Sequence, residues 1–150
     1  MYDNLNNILI PRRLEDRKER YKILIQRRIQ QYIKNGCIGN LDLTNSSFEK
    51  LPDNLIKVGG YLGLFNSQIK SLNNLESVGG SLDLDYSTIE SLGKLESVGE
   101  YLDLEHTPIK SLGNLKFVGG DIWLRNSFLE NYTKNEIMRM VNVKEEDIHI

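Results

Sequence analysis

From Asn40 to about Tyr132 the apolar residues fall into a fixed repeat. Tyr61–Gly80 reads YLGLFNSQIKSLNNLESVGG, Ser81–Glu100 reads SLDLDYSTIESLGKLESVGE and Tyr101–Gly120 reads YLDLEHTPIKSLGNLKFVGG. The three align without gaps at a period of 20. An earlier copy occupies Asn40–Gly60 with one inserted residue, and a further copy starts at Asp121 and then diverges. Similarity at a fixed period of this length is the signature of a solenoid, in which each coil buries its apolar side against the next.

Within a coil the pattern is L-x-L-x-x-[ST]-x-I. Alternation over Leu62/Leu64, Leu82/Leu84 and Leu102/Leu104 predicts a short strand with its leucines inward and their neighbours outward. Beyond it, apolar residues recur every third position, as in Ile69, Leu72, Leu75 and Val78. That period is not an α-helical stripe, and it predicts 3₁₀ turns or a polyproline-like path on the back of each coil. Seven of the twelve glycines (Gly59, Gly60, Gly79, Gly80, Gly99, Gly119, Gly120) sit at the coil closures. Glycine supplies the positive φ or close backbone approach that a sharp return to the next strand needs. Glu100 replaces a second glycine, so the first of each pair is expected to be the stricter.

These L-x-L pairs, Ser/Thr positions and I-x-x-L-x-x-L-x-x-V backs resemble the leucine-rich repeat family in its short bacterial and bacteriophage form. The resemblance implies an α/β solenoid of about five coils with a parallel sheet on one face. It also implies a protein-interaction scaffold. Ser46, Ser67, Ser87, Thr107 and Ser127 stand where that family carries an Asn or Cys ladder. The Val-Gly-Gly closure is similar to repeats of bacteriophage and large-virus proteins. That likeness implies a phage or bacterial inhibitor of a host factor, with a nucleic-acid-handling defence protein as the expected target and the host cytoplasm as the location.

A repeat stack needs both ends covered. Arg12–Asn35 reads as an amphipathic helix with Leu14, Tyr21, Ile25, Ile29, Tyr32 and Ile33 on one side and Asn35-Gly36 as its stop. Thr133 and Glu136 have capping-box spacing ahead of a short helix from Lys134 to Val141. The tail from Lys144 either adds a strand through Ile148 and Ile150 or frays. One domain is expected, with a helical cap over residues 1–37, repeats over 38–132 and a C-terminal cap and tail over 133–150.

Composition changes this picture in two places. Cys37 is the one cysteine, which removes any internal disulfide framework, and its position at the start of a coil predicts a packed core residue. The net charge of −2 conceals a division. Pro11–Asn35 carries nine basic and three acidic residues, a net of +6, so the remainder carries −8. Within the basic segment Arg12, Arg13, Arg17, Arg20, Arg27 and Arg28 are candidate phosphate contacts for nucleic acid or an anionic membrane. The apolar run at Ile8–Ile10 is far too short for a membrane span.

With the leucines inward, three columns point outward: Asn40, Tyr61, Ser81, Tyr101, Asp121; then Asp42, Gly63, Asp83, Asp103, Trp123; then Thr44, Phe65, Asp85, Glu105, Arg125. Five strands spaced as in a sheet span roughly 20 Å. Like charges opposite one another destabilise a sheet, so Asp83, Asp85, Asp103 and Glu105 call for an explanation. Tyr61, Phe65, Tyr101 and Trp123 flank them, Asp42 lies further out, and Tyr86 and His106 sit just past the strands. The expected function is binding of a protein with a basic surface, since aromatic residues of this kind dominate binding energy. A merely solvated, aggregation-resistant face and an oligomerising stack are the competing readings. No catalytic motif, cofactor or metal-ligand spacing is present, so a non-enzymatic protein without cofactor or metal is expected.

Overall fold

The computed structural model describes residues 17–150, together with the backbone of the hairpin strands β1 (Tyr2–Leu5) and β2 (Ile8–Pro11). Arg12, Arg13 and Leu14 lie outside the described residues. The hairpin strands pair antiparallel, with Tyr2 opposite Pro11 and Leu5 opposite Ile8.

Helix α1 (Arg17–Lys34) buries Ile25 and Ile29, four apart and therefore on one side, while Tyr32 and Ile33 pack against the same core. Tyr21, expected on that side, is 41% exposed. The helix stops as the sequence predicts. Gly36 takes φ +84°, Gly36 N–H donates to Ile33 O at 3.0 Å, and Cys37 N–H donates to Tyr32 O at 3.1 Å. That pair of bonds is a Schellman closure. Cys37 itself is buried in the core. The Tyr32 hydroxyl fastens the helix to the first coil. It lies 2.9 Å from Cys37 O and 2.8 Å from Gly39 O as donor, and accepts Gly59 N–H at 3.1 Å.

The coils that follow form a solenoid with two parallel sheets. The front sheet holds β3 (Leu41–Asp42), β5 (Leu62–Gly63), β7 (Leu82–Asp83), β9 (Leu102–Asp103), β11 (Ile122–Trp123) and β12 (Ile148–His149), in that spatial order. Its ladder runs beyond these pairs, for example Leu62 N–H to Ser81 O, Leu64 N–H to Asp83 O and Asn66 N–H to Asp85 O, at 2.8–2.9 Å. Both leucines of each L-x-L pair are buried, as alternation predicts. Each leucine fully removed from water contributes about 2 kcal/mol.

The back of the coil keeps one of the expected 3₁₀-type turns and adds a sheet that was not expected. A single i→i+3 turn closes at Leu55, Leu75, Leu95 and Leu115. A second parallel sheet follows: β4 (Lys57–Val58), β6 (Ser77–Val78), β8 (Ser97–Val98) and β10 (Phe117–Val118). Stacking coils at a constant offset places like backbone segments side by side, so even a two-residue extended piece finds partners above and below.

The first glycine of each closure is fixed by close approach. A Cβ at Gly79, Gly99 or Gly119 would collide with the carbonyl oxygen of the glycine one coil before. At Gly120 the nearest atoms, those of Glu100, lie at 3.4 Å, an ordinary contact. The earlier second positions are tight, since a Cβ at Gly60 would collide with Asn40 Oδ1 and one at Gly80 would lie 2.9 Å from Gly60 C, so among these glycines the freedom of the second position is confined to the last closure. Positive φ plays no part here: among the described glycines it occurs at Gly36, Gly39, Gly93 and Gly113.

Thr107 and Ser127 donate to the carbonyls three residues back, Leu104 at 2.7 Å and Leu124 at 2.6 Å. The hydroxyls of Ser46, Ser67 and Ser87 are buried without a hydrogen-bond partner. The last coil breaks into a 3₁₀ turn (Phe128–Asn131) and helix α2 (Lys134–Met140). The Thr133/Glu136 capping box is formed, and it holds the Glu136 carboxyl below its usual range. Ile137 and Val141 are buried, whereas Met138 and Met140 are exposed. The tail then adds a strand rather than fraying. Ile148 and His149 pair in parallel with Ile122 and Trp123, and Asn142 bridges Phe117 of the back sheet. The structure is thus four complete coils, a truncated one, and a helix at each end.

Candidate functional site

The outward columns are in register. Asp42, Gly63, Asp83, Asp103, Trp123 and His149 oppose one another in succession across the front sheet. Gly63 interrupts the acidic column for a packing reason. A Cβ there would lie 2.7 Å from Tyr61 Cε1, because the Tyr61 ring folds over this position. Its hydroxyl reaches the next coil and donates to Asp83 Oδ2 at 3.2 Å.

Asp83 and Asp103 are half-buried on a face drawn from the sequence as open. Desolvation is the main cause that lifts the Asp83 carboxyl above the usual aspartate range. For Asp103, burial with the neighbouring charges of Asp85, Asp83 and Glu105 pushes the pKa up to about 6. Burial raises the Tyr61 and Tyr101 hydroxyls, helped by Asp83 at both, by Asp42 at Tyr61 and by Asp103 and Glu100 at Tyr101. Asp42 goes the opposite way, held low first by its hydrogen bond with the Thr44 side chain and then by Thr44 N–H.

A recurring local bond accompanies the acids. Asp42, Asp83 and Asp103 each use Oδ1 to accept the backbone N–H two residues on, from Thr44, Asp85 and Glu105, at 2.9–3.1 Å. The acceptor is structural, but an amide oxygen supplies it equally well. The negative charge therefore exceeds what the fold needs.

Just beyond the strands the chain turns through left-handed residues: Asn45, Asn66, Tyr86, His106 and Asn126, with φ between +50° and +58°. Asn is among the side chains that enter this region most readily, and other L-residues cost about 1–2 kcal/mol there. Tyr86 and His106 stack at 4.1 Å with an interplanar angle of 7°, and Phe65 meets Tyr86 edge-on at 6.0 Å. His106 Nδ1 lies 2.9 Å from Asp85 Oδ1, and Nε2 lies 3.0 Å from Asn126 Nδ2. The imidazole thus ties three coils together.

The structure brings Tyr61, Phe65, Asp83, Asp85, Tyr101, Asp103, Glu105 and His106 onto one continuous surface, with Tyr86, 53% exposed, as its most open ring. Asp42 sits at its near edge. Trp123 follows Asp103 in the column and is covered from the far side: His149 stacks on it at 3.9 Å, and the Arg125 guanidinium lies 5.7 Å from its ring. His149, whose Nε2 is 2.6 Å from Asp121 Oδ1, closes this end of the face. It was in no sequence-level candidate set, and the Ile148/Ile150 alternation was the signal that could have placed it outward.

The basic candidates among the described residues do not form a single patch. Arg17 and Arg28 are exposed on the flanks of α1, while Arg20 and Arg27 are half-buried on the side away from Ile25 and Ile29, each engaged in an interaction. Among the described residues no group of three or more His, Cys, Asp or Glu is placed to hold a metal ion, and no helix is long and apolar enough to cross a membrane.

No protein-family model, curated protein or solved structure matches this chain. The parallel-strand solenoid with its 20-residue coils stands on its own geometry.

Proposed function

We propose that the chain is a non-catalytic binding module of the leucine-rich repeat type, whose front sheet recognises a basic protein surface. The observation that carries this reading is the in-register Asp83–Asp103 pair, half-buried and with the Tyr61 hydroxyl bonded to Asp83. Two carboxylates held together and partly out of water raise the free energy of the unbound protein. A Lys or Arg brought to them relieves that repulsion, and much of their desolvation is already complete before the partner arrives. Phe65, Tyr86 and His106 supply an aromatic rim on which an Arg guanidinium or an apolar stem packs. The resemblance of the closures to phage repeats extends the proposal: the partner is a host protein whose own basic site serves phosphates, and this chain inhibits it by occupying that site.

The test is capture of partners by wild type beside D83N/D85N/D103N/E105Q, followed by mass spectrometry. The Asn substitutions retain the oxygen that accepts the i+2 backbone N–H, so folding is preserved. The reading requires a basic protein enriched by wild type and lost from the variant. Equal enrichment by both removes it.

A further inference from the structure

A second concavity lies away from the front sheet, between the first turns of α1 and the corners of the first two coils. It is a hollow of about 420 Å³ whose lining includes Arg17, Lys18, Tyr21 and Lys22 from the helix and Ser47 and Gln68 from the coils. Among the described residues, three cations and no acid line it. A second hollow of about 390 Å³ shares Lys22, Ser47 and Gln68 with the first and adds Gln26, Phe48 and Glu49. The two form one short trench, cationic at one end and aromatic with amides at the other.

Phe48 also packs against the core, but the cationic end takes no part in anchoring the helix. The helix is anchored through Ile25, Ile29 and Tyr32, none of which borders either hollow. Arg17, Lys18 and Lys22 bring three like charges together along one wall of the hollow. Among the described residues, the acids nearby are weakly placed or turned to other uses. Glu19 lies 4.0 Å from Lys22 with both side chains largely exposed, and Glu49 is paired with Lys70 at 3.2 Å.

We propose that this trench binds a nucleoside phosphate. The phosphates sit among Arg17, Lys18 and Lys22, which supply charge-assisted donors. The base lies against Phe48, and the Gln26 and Gln68 side chains offer both donors and acceptors to its edge. The combined space falls within the range of small-ligand pockets. Glu49 at the far end repels further phosphates, which favours one nucleotide over a long strand. The site is independent of the acidic face, so either can fail without the other.

Calorimetric titration at about 50 mM salt, where surface charges are weakly screened, tests it. The probes are ATP, inorganic tripolyphosphate and an oligo-thymidine of about 15 nucleotides. Wild type is expected to bind ATP about tenfold more tightly than tripolyphosphate, because stacking adds to the charge term. R17Q/K18Q/K22Q is expected to lose ATP affinity by at least about tenfold. Phe48→Leu keeps an apolar side chain against the core but removes the ring, and brings ATP down to the level of tripolyphosphate. Melting curves confirm that both variants fold. Absence of ATP binding at about 1 mM ligand, or ATP binding equal in wild type and the triple variant, overturns the proposal. So does tight binding of the oligonucleotide alone, which would make the trench a strand site.

Discussion

Asp103 is the residue at which the electrostatics of the face becomes measurable. Its carboxyl titrates near 6 in the folded protein against a reference of 3.8. A raised folded pKa means that the fold prefers the protonated form. The associated stability is fully present below about pH 4 and is lost as pH rises through about 6. D103N removes the charge and keeps the Glu105 N–H acceptor, so it is expected to stabilise at about pH 7.5 by ~1 kcal/mol after allowance for solvent screening, or about 3 °C in Tm. The gain shrinks to nothing at about pH 4, and thermal melts at both pH values check it. The sequence marked this residue as outward and acidic. It could not show how far stacking of the coils withdraws this carboxyl from water. The same blindness applies to Tyr86 and His106. Their position past the strand was legible, but their stacking in left-handed corners depends on neighbours one coil away.

At the scale of elements, the front strands and both terminal helices were legible because each is marked by strong local chemistry: alternating leucines, a Ser/Thr position, a capping box, a glycine stop. The back sheet was hidden. Its strands are two residues long, too short for alternation, and they exist only because neighbouring coils supply partners. The closures divide the glycines in the same way. Gly99→Ala places a methyl group on the Gly79 carbonyl and is expected to cost at least about 2–3 kcal/mol, whereas Gly120→Ala is expected to stay within about 0.5 kcal/mol. Urea denaturation of the two variants separates them. Tyr32→Phe removes the hydroxyl that joins α1 to Cys37, Gly39 and Gly59, at an expected cost of about 1–2 kcal/mol. Amide hydrogen exchange is expected to show faster exchange across the helix and first coil than across the later coils. A uniform change would contradict the role of Tyr32 as a fastener of this cap.

For the whole molecule, the net charge of −2 is a poor guide, because a basic N-terminal segment offsets an acidic stack. The fold turns part of that acidity into a surface. Coils repeating every 20 residues place Asp83 beside Asp103 and Asp85 beside Glu105, and the caps leave this side of the stack open. Charge at this density is not required by the backbone, since amide side chains satisfy the same local bonds. Its cost to the free protein is what a basic partner relieves. Partner affinity is therefore expected to fall as pH drops below about 6 and Asp103 takes up a proton. The most direct test of the central claim is the affinity of the captured partner for wild type and for D83N/D85N/D103N/E105Q, measured by calorimetry at the same pH and salt. The account predicts a loss of at least about 100-fold, with a melting temperature equal to or above wild type. Affinity within about threefold of wild type in a folded variant would contradict it.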